Sequence, residues 1–129
     1  MKRAAIPRTP MKRRLPKVSA EERAIRQDWL RYRPECEVTR IACFGPLTVH
    51  EPWTRARGGP TDDPRNFATA CVEGNRWLSQ SAGGMIWGYA NGMLVRASAG
   101  PAWLEAGGRI PGLSRDEAIA LIMREVAKR

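Results

Sequence analysis

Histidine is all but missing from this chain: 129 residues contain a single one, His50, so any imidazole chemistry must pass through that position. Cysteine is scarce and odd in number. Cys36, Cys43 and Cys71 make a poor disulfide framework and read instead as reduced thiols or as remnants of a metal site. No apolar run approaches the roughly 18 to 20 residues that span a bilayer, and the basic start is followed by no apolar stretch of the signal-peptide kind. The expectation is therefore a protein of the cytoplasm with no membrane partner. Internal repeats are absent too, and so are acidic residues from the first 18 positions.

What is abundant is positive charge. Twenty-two Lys and Arg against thirteen Asp and Glu give a formal net charge of +9 and a sequence pI near 10.5. Such a balance points to a polyanionic partner, with DNA and its phosphate backbone ahead of an anionic membrane surface. The length suits one small domain with a modest core.

Residues 1–18, MKRAAIPRTPMKRRLPKV, combine seven basic residues with three prolines and read as a disordered basic arm that either grips phosphates or solubilises the chain. Ser19 and Glu22 then form a capping box for a helix over about 20–31, with Ala24, Ile25, Trp29 and Leu30 as its apolar stripe. Pro34 ends it. Leu47 to Val49 is a short β-prone run carrying His50 and Glu51 at its end. The loop from Pro52 to Pro64 is rich in Gly, Pro and charge. Phe67 to Cys71 reads as a second strand, and Val72 to about Gln80 as a helix.

Further along, Met85 to Asn91 reads as another one or two helical turns and Met93 to Arg96 as a short strand. Residues 99–112 look like a linker. Ser114 and Glu117 set a second capping box, with Leu113 as a hydrophobic staple, for a C-terminal helix within 113–129 whose Ile119, Ile122 and Val126 dock on the core.

The order of parts from Val49 to Leu78, VHEPWTRARGGPTDDPRNFATACVEGNRWL, resembles the HNH endonucleases, the ββα-metal nucleases. The likeness is to small actinobacterial and phage HNH-like proteins with a degenerate zinc knuckle. It implies an α+β fold in which a small ββα-metal core, within residues 19–98, is flanked by an N-terminal and a C-terminal helix. It also implies metal-dependent hydrolysis of DNA phosphodiester bonds. The alternative is a nucleic-acid-binding protein that keeps the scaffold without cleaving.

Set against the family pattern, His50 falls at the first, metal-binding position, Glu51 at the general-base position and Asn75 at the ligand position on the helix. One imidazole nitrogen and one amide oxygen suit a single divalent metal such as Mg²⁺ or Mn²⁺. Glu51 departs from the family's base histidine, and its ordinary pKa near 4.3 matches neutral pH poorly unless burial raises it. It can serve as base, join the metal, or mark a lost activity. Because neighbours on a regular strand face opposite ways, His50 and Glu51 share a site only where the strand ends or bulges.

Asn66 is the residue expected to organise the loop through its side-chain amide. Arg55, Arg57, Arg65 and Arg76 surround the site in sequence and read as phosphate contacts or as solvated charges. Trp53 and Trp77 can stack on bases or fill the core. The family's zinc knuckle is incomplete, since Thr39 and Gly74 stand where the second cysteine of each C-x-x-C pair belongs. Structural zinc is therefore not expected at Cys36, Cys43 and Cys71, although a displaced site using Cys43 stays open.

Overall fold

A computed structural model describes residues 18–129, so the reading of the basic arm lies, except for Val18, outside the described residues. The first helix, α1 (Ala20–Tyr32), starts as its capping box requires, with the Glu22 amide donating to the Ser19 hydroxyl at 3.1 Å. Its apolar face is narrower than the expected stripe. Trp29 is buried and Ile25 and Leu30 partly so, Ala24 is exposed, and Tyr32 joins the packing instead.

Strands β1 (Leu47–His50) and β2 (Ala68–Cys71) form a two-stranded antiparallel sheet that pairs Leu47 with Cys71 and His50 with Ala68. Two short 3-10 turns, Arg55–Arg57 and Pro64–Asn66, give the intervening loop its shape. The outer edge of β2 is not left open. Glu37 donates its amide to the Thr69 carbonyl at 2.8 Å, and its carboxylate accepts the Thr69 amide at 2.6 Å. The Thr69 hydroxyl donates to Arg33 O and accepts from the Trp29 indole, tying the end of α1 to the same strand.

Helix α2 (Val72–Gln80) follows β2 without a loop, because Cys71 both ends the strand and caps the helix through its sulfur. Helix α3 (Ala82–Ala90) begins three residues earlier than expected, since Ser81 closes α2 and immediately caps the next helix through the Gly84 amide. Residues 93–96 are a correction. They form no strand; Met93 N bonds to Gly88 O and Val95 N to Pro52 O, so their amides close α3 and bridge to the loop after β1.

The linker expected over 99–112 is a second correction. It contains α4 (Gly100–Glu105) and a packed return. Gly100 lies so close to Trp53 that a Cβ there would sit 2.3 Å from its indole ring, and the Arg109 amide bonds to Arg65 O at 2.8 Å. Ile110 then enters the core. Composition misled here because glycines that permit close contact look the same in sequence as glycines that loosen a chain.

Helix α5 (Arg115–Ala127) is capped by Ser114 and buries Ala118 and Ile122, with Leu113 and Val126 packed beside them. Trp29, Phe67, Ile110, Ala118 and Ile122 form one cluster, so the expected boundaries at 98 and 112 do not divide the core. A second cluster of Val38, Ala68, Ala70, Leu78 and Met93 lies under α2. The architecture is thus α+β, five helices around one hairpin among the described residues. No helix among them is long and apolar enough to cross a membrane.

Candidate functional site

His50 closes β1 and is 5% exposed. Its Nε2 sits against the Met93 carbonyl, which can only accept, so that nitrogen carries the proton. In the neutral ring Nδ1 is then left as a lone pair, 3.2 Å from Asn75 Oδ1. Burial lowers the His50 pKa, against the pull of Met93 and Asn75, and keeps the ring neutral at pH 7. Two acceptors at this spacing need something positive between them, either the NH₂ of a turned amide or a cation. A histidine whose second nitrogen is fixed by a backbone carbonyl is also how metal-binding imidazoles are held.

Glu51 lies one residue beyond the strand, so the alternation that would separate it from His50 no longer applies. His50, Glu51 and Asn75 line one cavity of about 160 Å³, together with Val49, Thr54, Ser79 and Leu94. Glu51 Oε2 is buried without a hydrogen-bond partner. Burial raises the Glu51 pKa despite the opposing charges of Arg26 and Arg55. The Arg26 guanidinium stands 3.7 Å from Oε2, too far for a hydrogen bond and close enough for an ion pair.

In sequence Arg26 is only one of several arginines bordering α1, and nothing there singles it out. Its guanidinium donates to Thr61 O and Val49 O and lies 5.4 Å from the centre of the Phe67 ring. It links α1 to both ends of the loop. No local pattern could have revealed that, since its partners lie more than twenty positions away in the chain.

Asn66 is fully buried. Its Oδ1 accepts the Trp53 amide at 2.9 Å, and its Nδ2 donates to Trp53 O and Pro60 O at 2.8 and 2.9 Å. One side chain thereby supplies backbone partners that an irregular loop would otherwise lack. Trp53 itself is buried against Gly100, with its indole nitrogen donating to Arg57 O, so it serves the core rather than a ligand. Trp77 packs against Trp87 with ring centres 5.7 Å apart.

The four arginines divide. Arg55 is half-buried beside the cavity, close enough for its charge to act on Glu51. Arg57 is exposed and donates to the Tyr89 hydroxyl at 2.7 Å. The Arg65 guanidinium is held by both oxygens of Asp63 and by Leu104 O, with only 16% of the side chain exposed. Arg76 is exposed, pairs with Glu73 at 2.9 Å and lines a different groove beside Ile41 and Trp77.

The three cysteines meet. Their sulfurs lie within 4.8 Å of one another although Cys36 and Cys43 come from the segment between α1 and β1 and Cys71 from the junction of β2 and α2. A larger concavity of about 680 Å³ opens elsewhere, among Tyr32, Arg33, Glu37, Trp87 and Arg109. Its Arg109 and Glu37 are bonded to each other, and Cys36 lines it as well. No protein-family model, curated protein or solved structure matches the chain.

Proposed function

We propose that the protein is an HNH-like, metal-dependent endonuclease that hydrolyses DNA phosphodiester bonds at the cavity between β1 and α2. One observation carries this reading: His50, Glu51 and Asn75 line a single small cavity, in which the His50 imidazole stands 3.2 Å from the Asn75 amide oxygen. A divalent cation bound there would neutralise a phosphoryl oxygen and stabilise the departing alkoxide.

The donor set fits such an ion. His50 Nδ1 and Asn75 Oδ1 are both available as acceptors, and the Met93 carbonyl fixes the ring in the tautomer that keeps Nδ1 unprotonated. Glu51 accepts the proton of the attacking water. Its raised pKa moves a carboxylate toward neutral pH, which is the direction a general base requires, and Arg26 steers it without neutralising it fully. Arg55 and Arg57, on the loop that Asn66 braces, meet the phosphates on either side of the scissile bond.

Nicking of supercoiled plasmid in Mg²⁺ or Mn²⁺ tests the proposal. Activity should disappear in EDTA and fall by about 100-fold or more in His50→Ala, since both metal retention and geometry fail together. Full activity in that variant would overturn it. DNA binding without cleavage in any metal would instead favour a scaffold retained for binding alone.

A further inference from the structure

We propose that Cys36, Cys43 and Cys71 form a three-thiolate site for one soft metal ion such as zinc, with the fourth coordination position open to an exogenous ligand. Zinc–sulfur bonds of about 2.3 Å place tetrahedral sulfurs roughly 3.8 Å apart. The three Sγ atoms already lie within 4.8 Å of one another, so closing on an ion needs small side-chain adjustments.

A second observation is that backbone donors point at the sulfurs. The Cys71 amide donates to Cys36 Sγ at 3.2 Å, and the Gly74 amide to Cys71 Sγ at 3.1 Å. Amide-to-sulfur bonds favour the thiolate, which is the form that binds metal. Three thiolates around one divalent ion would leave the complex with one negative charge.

The set stops at three for a steric reason. A side chain at Gly74, where a second cysteine of the pair would stand, would begin 3.0 Å from the Cβ of buried Val38. No other His, Cys, Asp or Glu among the described residues joins the group. Cys43 is exposed, so an exogenous ligand can reach the cluster from solvent. The site uses none of His50, Glu51 or Asn75 and stands whether or not the cavity cleaves DNA.

Titration of the reduced, metal-free full chain with Co²⁺ tests this. One equivalent should bind with thiolate-to-cobalt charge-transfer absorption and be displaced by Zn²⁺, and added imidazole should shift the ligand-field bands by filling the open position. Cys43→Ser, at an exposed position that leaves the fold intact, should weaken binding by about 100-fold or more and remove about a third of the charge-transfer intensity. His50→Ala should leave the charge-transfer bands unchanged. Failure to take up cobalt, equal affinity in Cys43→Ser, or bands indifferent to imidazole would each overturn the proposal.

Discussion

At the residue scale the site sets two pKa values against each other. His50 is depressed by burial, so below the ordinary value of 6.5 the unfolded chain takes up a proton that the folded chain refuses, and stability is lost as pH falls. Glu51 is raised, so the folded chain holds its proton to higher pH than the unfolded one. Its contribution is fully present below 4.5 and is lost as pH rises through the folded value. Glu51 Oε2 is buried without a hydrogen bond, with the Arg26 guanidinium 3.7 Å away, which leaves the ionised carboxylate a cost to the fold. Glu51→Gln should therefore raise the melting temperature of metal-free protein at pH 7 by a few degrees, and the advantage should vanish near pH 4. A lower melting temperature at pH 7 would mean that Arg26 already compensates the charge.

At the element scale the hairpin and α2 hold the site because their junction has no slack. Cys71 is at once the last residue of β2 and the cap of α2, so Asn75 is carried to His50 by one turn of helix. These parts were legible in sequence, since capping boxes, β-prone runs and Pro or Gly punctuation are local signals. The 99–112 segment was not, because its order comes from contacts that no local pattern encodes. Gly100 faces the ring of Trp53 and Arg65 is clamped between Asp63 and α4. Gly100→Ala should cost about 1–3 kcal/mol through the clash with Trp53, read as a lower denaturant midpoint at unchanged slope. An unchanged midpoint would show that α4 can move away freely.

At the scale of the whole molecule the positive charge is unevenly placed along the chain. Seven of the 22 basic residues lie in the first 18 positions, which leaves fifteen basic against thirteen acidic residues for the remainder. Residues 19–129 are close to neutral, and Arg65 is paired with Asp63. Affinity for a polyanion should thus reside largely in the arm and chemistry in the cavity. Deleting residues 1–18 should flatten the log–log salt dependence of DNA binding by about 3 to 6 units, at roughly 0.9 for each phosphate that the arm neutralises. An unchanged slope would place the phosphate-binding charges within residues 19–129 instead.

The order of the candidate site was readable in the sequence as far as His50, Glu51, Asn66 and Asn75. Its environment was not: that Met93 fixes the imidazole, that Arg26 faces Glu51 and that Cys43 reaches Cys36 and Cys71 all depend on long-range packing. The direction of the Glu51 shift belongs to the same class, since it follows from burial, and it bears on whether a glutamate can do a base's work near neutral pH.

The most direct measurement is the pH dependence of plasmid nicking under saturating Mn²⁺ for wild type, Glu51→Gln and Glu51→His. The account predicts a wild-type rate that rises with pH through a value above 4.5, a loss of about 10²–10⁴-fold in Glu51→Gln, and recovered cleavage in Glu51→His with its rise moved toward the histidine value. Glu51→Gln cleaving at the wild-type rate across the whole profile would contradict it.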